Sequence, residues 1–357
     1  MKKIISLLLA MIMVFSLATV AAAVVPSEPA AESYTDMQTI TFVKNYKNPN
    51  NGVSPAETFS FTFEKVGVTH GGVINEATGE VVTLNTMPNL VSVSSAAFNE
   101  GDAGKVEITG TGVDYKCQRT VTVTLPEYTA VGIYEYKIEE KTGSTAGVTY
   151  HSDEIKLVVT VIEQDGKIRV AAVHTEGANE QKDDMIHNIY ESGTLAVSKE
   201  VTGNMGDLDK EFDVTVTFTA PEDETVGAPI TYVEDGVTKT IATTDWDAEK
   251  NTASVVIKLK HEETITFKNI PEGVTYTVVE DDYTGEDYDD AEYDFSDEAK
   301  IVNGDVDGNN DDTVKITNNK DTEVDTGIAL DSAPYFVILA VAMFGMVALV
   351  SKKRYEV

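Results

Sequence analysis

The sequence predicts an all-β protein of two tandem β-sandwich domains, flanked at both ends by segments that do not fold with them. Three observations predict this class. Apolar and polar residues alternate with period two through the middle of the chain. Two Asp-Gly pairs, Asp165-Gly166 and Asp235-Gly236, stand between alternating runs as two-residue hairpin signals. No amphipathic helical run of useful length interrupts the pattern.

The elements follow in chain order. Residues 1–23 carry Lys2 and Lys3, an apolar run from Ile4 to Val20, and Ala21-Ala22-Ala23, the order of a secretory signal peptide. The first domain spans 36–191. In it Val121, Val123 and Leu125 share one strand face, and runs from Ile155 to Val161 and from Lys167 to Val173 flank Asp165-Gly166. The second domain spans 192–320 and contains the alternating run Phe212 to Phe218. Residues 321–333 form a polar motif and spacer. Residues 334–350 are seventeen uncharged residues, read as a transmembrane helix at the short limit for spanning a bilayer. Residues 351–357 hold Lys352, Lys353 and Arg354, a basic tail expected in the cytoplasm.

Composition removes several function classes. The 357 residues hold 27 Lys and Arg against 60 Asp and Glu, a formal charge of −33, so nucleic acid is not a partner. One cysteine excludes an intramolecular disulfide and a cysteine zinc cluster. With 42% hydrophobic residues the chain can still bury real cores.

The two domains repeat an ordering. Ile40, Phe42, Lys44 and Tyr46 alternate, as do Leu195, Val197, Lys199 and Val201. Each lysine therefore shares a face with core residues, where Lys is rarely found without a partner. Glu140 and Glu280 fall on the parity of the apolar residues before them, whereas the neighbouring Glu139 points outward. Each segment closes on a strand carrying an asparagine, Asn188 and Asn318. In a dry core, burial lowers a lysine pKa and raises that of a glutamate. The neutral amine can then attack the carboxamide carbon, with the glutamate moving protons and ammonia leaving. The alternative is a buried Lys–Glu ion pair with Asn completing the hydrogen bonds.

The motifs ITFVKN (40–45), GIYEYKIEEK (132–141), LAVSKEVTG (195–203), GVTYTVVEDDY (273–283) and ITNNK (316–320) resemble streptococcal-type backbone pilins built from pilin isopeptide linkage domains. The resemblance covers roughly 36–320. It implies two immunoglobulin-like (CnaB-like) sandwiches, with Lys44 joined to Asn188 under catalysis by Glu140, and Lys199 joined to Asn318 under Glu280. The first closing strand, MIHNIY, departs from the F-x-N-like end common in the family. Glu323-Val324-Asp325-Thr326-Gly327, with the apolar run and basic tail behind it, resembles a Gram-positive sortase sorting signal lacking the usual Leu-Pro. It implies cleavage between Thr326 and Gly327 and transfer to peptidoglycan or to another pilin subunit. Lys182 lies near the place where such pilins offer the acceptor lysine. The implied protein is extracellular, in a pilus or anchored to the cell wall, its precursor inserted in the plasma membrane. It is not an enzyme beyond its own single-turnover cross-linking. The alternative is a minor pilin or adhesin binding a host surface ligand.

Other constellations carry no chemistry. Asp305, Asp307, Asn309 and Asp311 alternate like calcium ligands, but the Gly is misplaced and Ile316 stands where a bidentate Glu belongs. His70, His151, His174, His187 and His261 lack ligand spacing. Cys117 reads as a small buried residue at an alternating strand position, Trp246 as an exposed contact, and the run Glu280 to Glu298 as a solvated loop and strand edge. No cofactor and no metal are expected.

Overall fold

The computed structural model describes residues 36–50, 52–104, 116–177, 185–295, 311–322, 337–339 and 341–342. It is almost entirely β. In the first domain a five-stranded sheet runs Val148–Thr149, Met185–Tyr190, Thr39–Lys47, Gln118–Thr124, Ser92–Val93. A four-stranded sheet runs Lys167–Glu176, Ile155–Gln164, Gly132–Glu140, Phe61–Thr69. In the second domain a six-stranded sheet runs Val237–Ile241, Ile230–Glu234, Thr264–Pro271, Ser192–Thr202, Asp311–Asn319, Glu292–Phe295. A three-stranded sheet runs Thr252–Leu259, Phe212–Thr219, Thr275–Glu280.

The alternation in sequence becomes alternation in burial. Along Gly132–Glu140 and Phe212–Thr219 every second residue is buried, so each strand gives one face to a core. Tyr46, Tyr134, Tyr136, Ile138 and Leu157 fill the first core; Leu195, Val214, Phe218, Phe267 and Ile316 fill the second. The hairpin signals act as expected. Asp165 and Gly166 have φ of 54° and 72°, and Asp235 and Gly236 have 52° and 74°, the paired positive values of a type I′ turn.

Both domains use one device at their ends. The opening strand lies between the closing strand, which it meets in parallel, and an antiparallel neighbour. In the first domain Lys44 stands opposite Ile186, and in the second Lys199 stands opposite Ile316.

The domains meet closely. Glu191 alone separates the closing strand of the first from the opening strand of the second. Ala146, from a first-domain loop, is buried in the second domain's core, held where Ala146 N donates to Thr225 O at 2.9 Å and Thr225 N to Ser144 O at 2.8 Å. Asn269, at φ 64°, donates from Nδ2 to Val53 O and to Pro229 O, both at 2.9 Å, and accepts from Tyr190 Oη at 3.3 Å. Gly147 has φ 75°, and a Cβ there would stand 2.6 Å from Glu191 O, so no larger residue fits.

One expectation of fold class is corrected. The transmembrane helix expected over 334–350 is not found: no helix among the described residues is long and apolar enough to cross a membrane, and 334–336, 340 and 343–350 lie outside those residues. Helical residues there are Val337–Leu339 and Val341–Ala342. Seventeen residues at helical rise reach about 25 Å, short of a hydrocarbon core of about 30 Å. The signal segment 1–23, Lys182, Thr326, Gly327 and the Asp305–Asn309 part of the calcium-like run lie outside the described residues.

Three smaller readings also change. Trp246 packs against the second core instead of standing exposed. Cys117 is buried, but in the turn before the Gln118–Thr124 strand. The acidic run after Glu280 is not simply solvated: Tyr288 is buried, and Tyr283 and Tyr288 pack edge-on against Phe212 with centroids at 4.9 and 5.4 Å.

Candidate functional site

Each domain brings its lysine, glutamate and asparagine together between its two sheets. The lysine and asparagine come from adjacent parallel strands of one sheet, and the glutamate comes from the facing sheet. Because the lysine is opposite the residue two before the asparagine, the two side chains are diagonal neighbours on one face.

In the first domain the side chains of Lys44 and Glu140 are wholly buried, as is Asn188. Lys44 Nζ donates to Glu140 Oε2 at 2.5 Å and to Asn188 Oδ1. Asn188 Nδ2 donates to Glu140 Oε1. His151 N donates to Asn188 Oδ1 at 2.9 Å, a backbone group that polarises the carboxamide and faces the oxygen on which charge grows when its carbon is attacked. Lys44 Nζ lies 4.5 Å from the centre of the Phe59 ring. Burial draws the Lys44 pKa down to about 8 against the opposing pull of Glu140.

The second triad repeats the pattern more loosely. Lys199 Nζ donates to Asn318 Oδ1 at 2.7 Å, and Asn318 Nδ2 donates to Glu280 Oε1 at 2.5 Å. Glu280 Oε2 stands 3.5 Å from Lys199 Nζ. Lys199 Nζ lies 4.3 Å from the Phe212 ring centre. Burial lowers the lysine pKa and raises that of Glu280, each opposed by the charge of the other. Tyr293 Oη accepts from Glu280 N at 2.8 Å and fixes the strand end that carries the glutamate.

The arrangement can do what such a triad requires. Burial favours the neutral amine in both triads and the neutral acid at Glu280, the forms needed for nucleophilic attack and proton transfer. The glutamate bridges the attacking nitrogen and the carboxamide nitrogen, the two atoms between which a proton must pass. Sequence reasoning finds the six side chains but misses the His151 N–H and the rings of Phe59 and Phe212. The aromatic rings carry a signal, as apolar residues on the strand that follows each lysine; the backbone donor carries none.

Comparison with known proteins gives two family matches along the chain. A family model described as the Spy0128-like isopeptide containing domain matches residues 27–191, and one described as a domain of unknown function (DUF7601) matches 193–320. A pilin of Streptococcus pyogenes serotype M1 is 30% identical over 332 residues, covering 88% of this chain and 91% of that protein. The crystal structure of the major pilin from Streptococcus pyogenes covers 81% of this chain and 100% of its own at a TM-score of 0.54 and 20% identity. A second major pilin of that species, T3.2, gives 0.51 at 18% identity, covering 80% and 99%. The chain belongs to the pilin family. It is a structural subunit and not an enzyme, and its place is outside the cell, in the pilus or cell wall.

Proposed function

We propose that the chain is a pilus backbone subunit whose two domains are each closed by an intramolecular amide bond, Lys44 to Asn188 and Lys199 to Asn318, with Glu140 and Glu280 as the acid–base groups. The observation that carries this reading is the repetition of one buried arrangement, at one register, in two domains. In each, lysine Nζ attacks asparagine Cγ, the Cγ–Nδ2 bond breaks, and the glutamate carries the proton from the amine to the departing nitrogen, which leaves as ammonia. Sortase then cuts between Thr326 and Gly327 and passes the Thr326 carbonyl to an amine, with Lys182 of another subunit as the candidate acceptor.

Intact mass of the mature chain tests the chemistry. Two bonds remove two ammonia molecules from the sequence mass. Glu140→Ala restores one, Glu280→Ala restores the other, and a mass equal to the sequence mass in the unaltered chain ends the proposal.

A further inference from the structure

The strands Ser192–Thr202 and Asp311–Asn319 end side by side, at the pole where the second domain runs out toward the sorting motif. Beyond them the chain is still held. Lys320 N donates to Thr202 O at 3.1 Å, and Met205 N donates to Lys320 O at 3.0 Å. Asn204 N donates to Asp321 Oδ1 at 2.8 Å. The Asn204 carboxamide then holds Thr322 through both of its backbone groups: Nδ2 donates to Thr322 O and Oδ1 accepts from Thr322 N, each at 2.9 Å. Gly203, at φ 90°, permits this close approach, since a Cβ there would stand 2.2 Å from Lys320 O. Asn204, Asp321 and Thr322 are all exposed. Water is therefore available to these groups, and the clamp does not answer a burial of polar atoms. Met205 and Leu208, in the same loop, are 55% and 52% exposed.

We propose that the Gly203–Asp209 loop is the seat for the next copy of this chain in the fibre, with Asn204 keeping the tether short and Met205 and Leu208 making the contact. The inference rests on the reading of Thr326 as the joined residue. Thr326 lies four residues beyond Thr322, a reach of at most about 14 Å, and an extended lysine side chain adds roughly 6 Å. The backbone of the acceptor lysine therefore stands within about 20 Å of Thr322, less than the width of one domain. At that range the neighbouring copy comes against the loop beside the clamp. A chain of charge −33 repels its own copies. Two apolar side chains hold such a neighbour only at the high effective concentration that a short tether gives, and a longer tether lowers it.

Methionine oxidation reads the seat directly. Fibres of the unaltered chain, and an unjoined full chain carrying Thr326→Ala, are taken from the same cells and treated with dilute hydrogen peroxide. The sulfoxide at Met205 is then quantified by peptide mass. Met205 is expected to oxidise about tenfold more slowly in the fibre. Met87, 2% exposed, resists in both and reports folding. Fibre stiffness, read by electron microscopy, is the second measurement. Asn204→Ala lengthens the tether from four residues to six, counted from Lys320, and Met205→Ser with Leu208→Ser removes the contact. Both variants are expected to keep the high-mass ladder and to shorten the persistence length about twofold. Equal oxidation of Met205 in fibre and unjoined chain overturns the seat. So does unchanged stiffness in either variant. Loss of the ladder in the serine pair assigns the loop to the joining enzyme and overturns it too. A Thr326→Ala chain that still enters the ladder is a different failure, that of Thr326 as the joined residue.

Discussion

Lys199 and Asn318 are diagonal neighbours across two parallel strands: Lys199 faces Ile316, and the asparagine lies two residues further on. Lys44 and Asn188 stand in the same relation about Ile186. The offset puts a long side chain and a short one on one face at a spacing the lysine can bridge. A shift of one residue in either strand would turn one partner toward solvent.

Loss of the second link is expected to destabilise the second domain strongly. The loop between Lys199 and Asn318 spans 119 positions, and by the chain-entropy relation for cross-links its closure contributes about 5 kcal/mol. Glu280→Gln, which keeps the shape and removes the acid, should lower the melting temperature of that domain by roughly 15–20 °C. Calorimetry on the variant checks this. An unchanged transition would show that the link contributes no stability.

The uncross-linked first domain should gain stability as pH rises. In Asn188→Ala, which cannot link, Lys44 remains buried. Burial holds its folded pKa near 8, against 10.5 for the ordinary lysine. Between these values the unfolded chain binds more protons than the folded one, so unfolding becomes harder with pH, by up to about 3 kcal/mol. Urea denaturation at about pH 7.5 and about pH 9.5 reads the difference; a midpoint that falls over this window contradicts it.

Asn269 is expected to hold the domains in one orientation. Asn269→Ala leaves the Val53 and Pro229 carbonyls and the Tyr190 hydroxyl without their shared partner, at a cost of about 1–3 kcal/mol. Residual dipolar couplings should then fit two alignment tensors in the variant and one in the unaltered chain. Asn269→Gly keeps the positive φ and separates the lost contacts from backbone strain.

Polymer assembly should depend on one amine. Lys182→Arg is expected to abolish the high-mass ladder of cell-wall extracts while leaving monomer abundant. A ladder that survives assigns the acceptor role to another lysine.

Much of the site is legible in the sequence. Period two fixes which side of a strand a residue faces, so the inward lysines and glutamates can be read directly from Ile40 to Tyr46, Gly132 to Glu140 and their counterparts. Register cannot be read this way. The offset of Lys44 from Asn188 depends on a pairing between strands 144 positions apart. Tyr283 and Tyr288 were hidden because neighbouring aspartates dominate a reading by polarity, whereas Phe212 recruits the rings into its own cluster. Over 334–350, where a seventeen-residue apolar run stands at the lower limit of membrane-spanning length, no spanning helix is found among the described residues.

The single-residue spacing between the domains has a mechanical consequence. With both amide bonds in place, a pull on the two ends of the chain enters along residues 36–44, crosses to Asn188, follows the backbone to Lys199, crosses again to Asn318 and leaves. Under a pull on the chain ends residues 45–187 and 200–317 lie off this line, whereas a load taken up at Lys182 would join it at Asn188. The stretched polypeptide between the two bonds is the segment from Asn188 to Lys199, already extended along two consecutive strands, so the subunit has almost no length left to give.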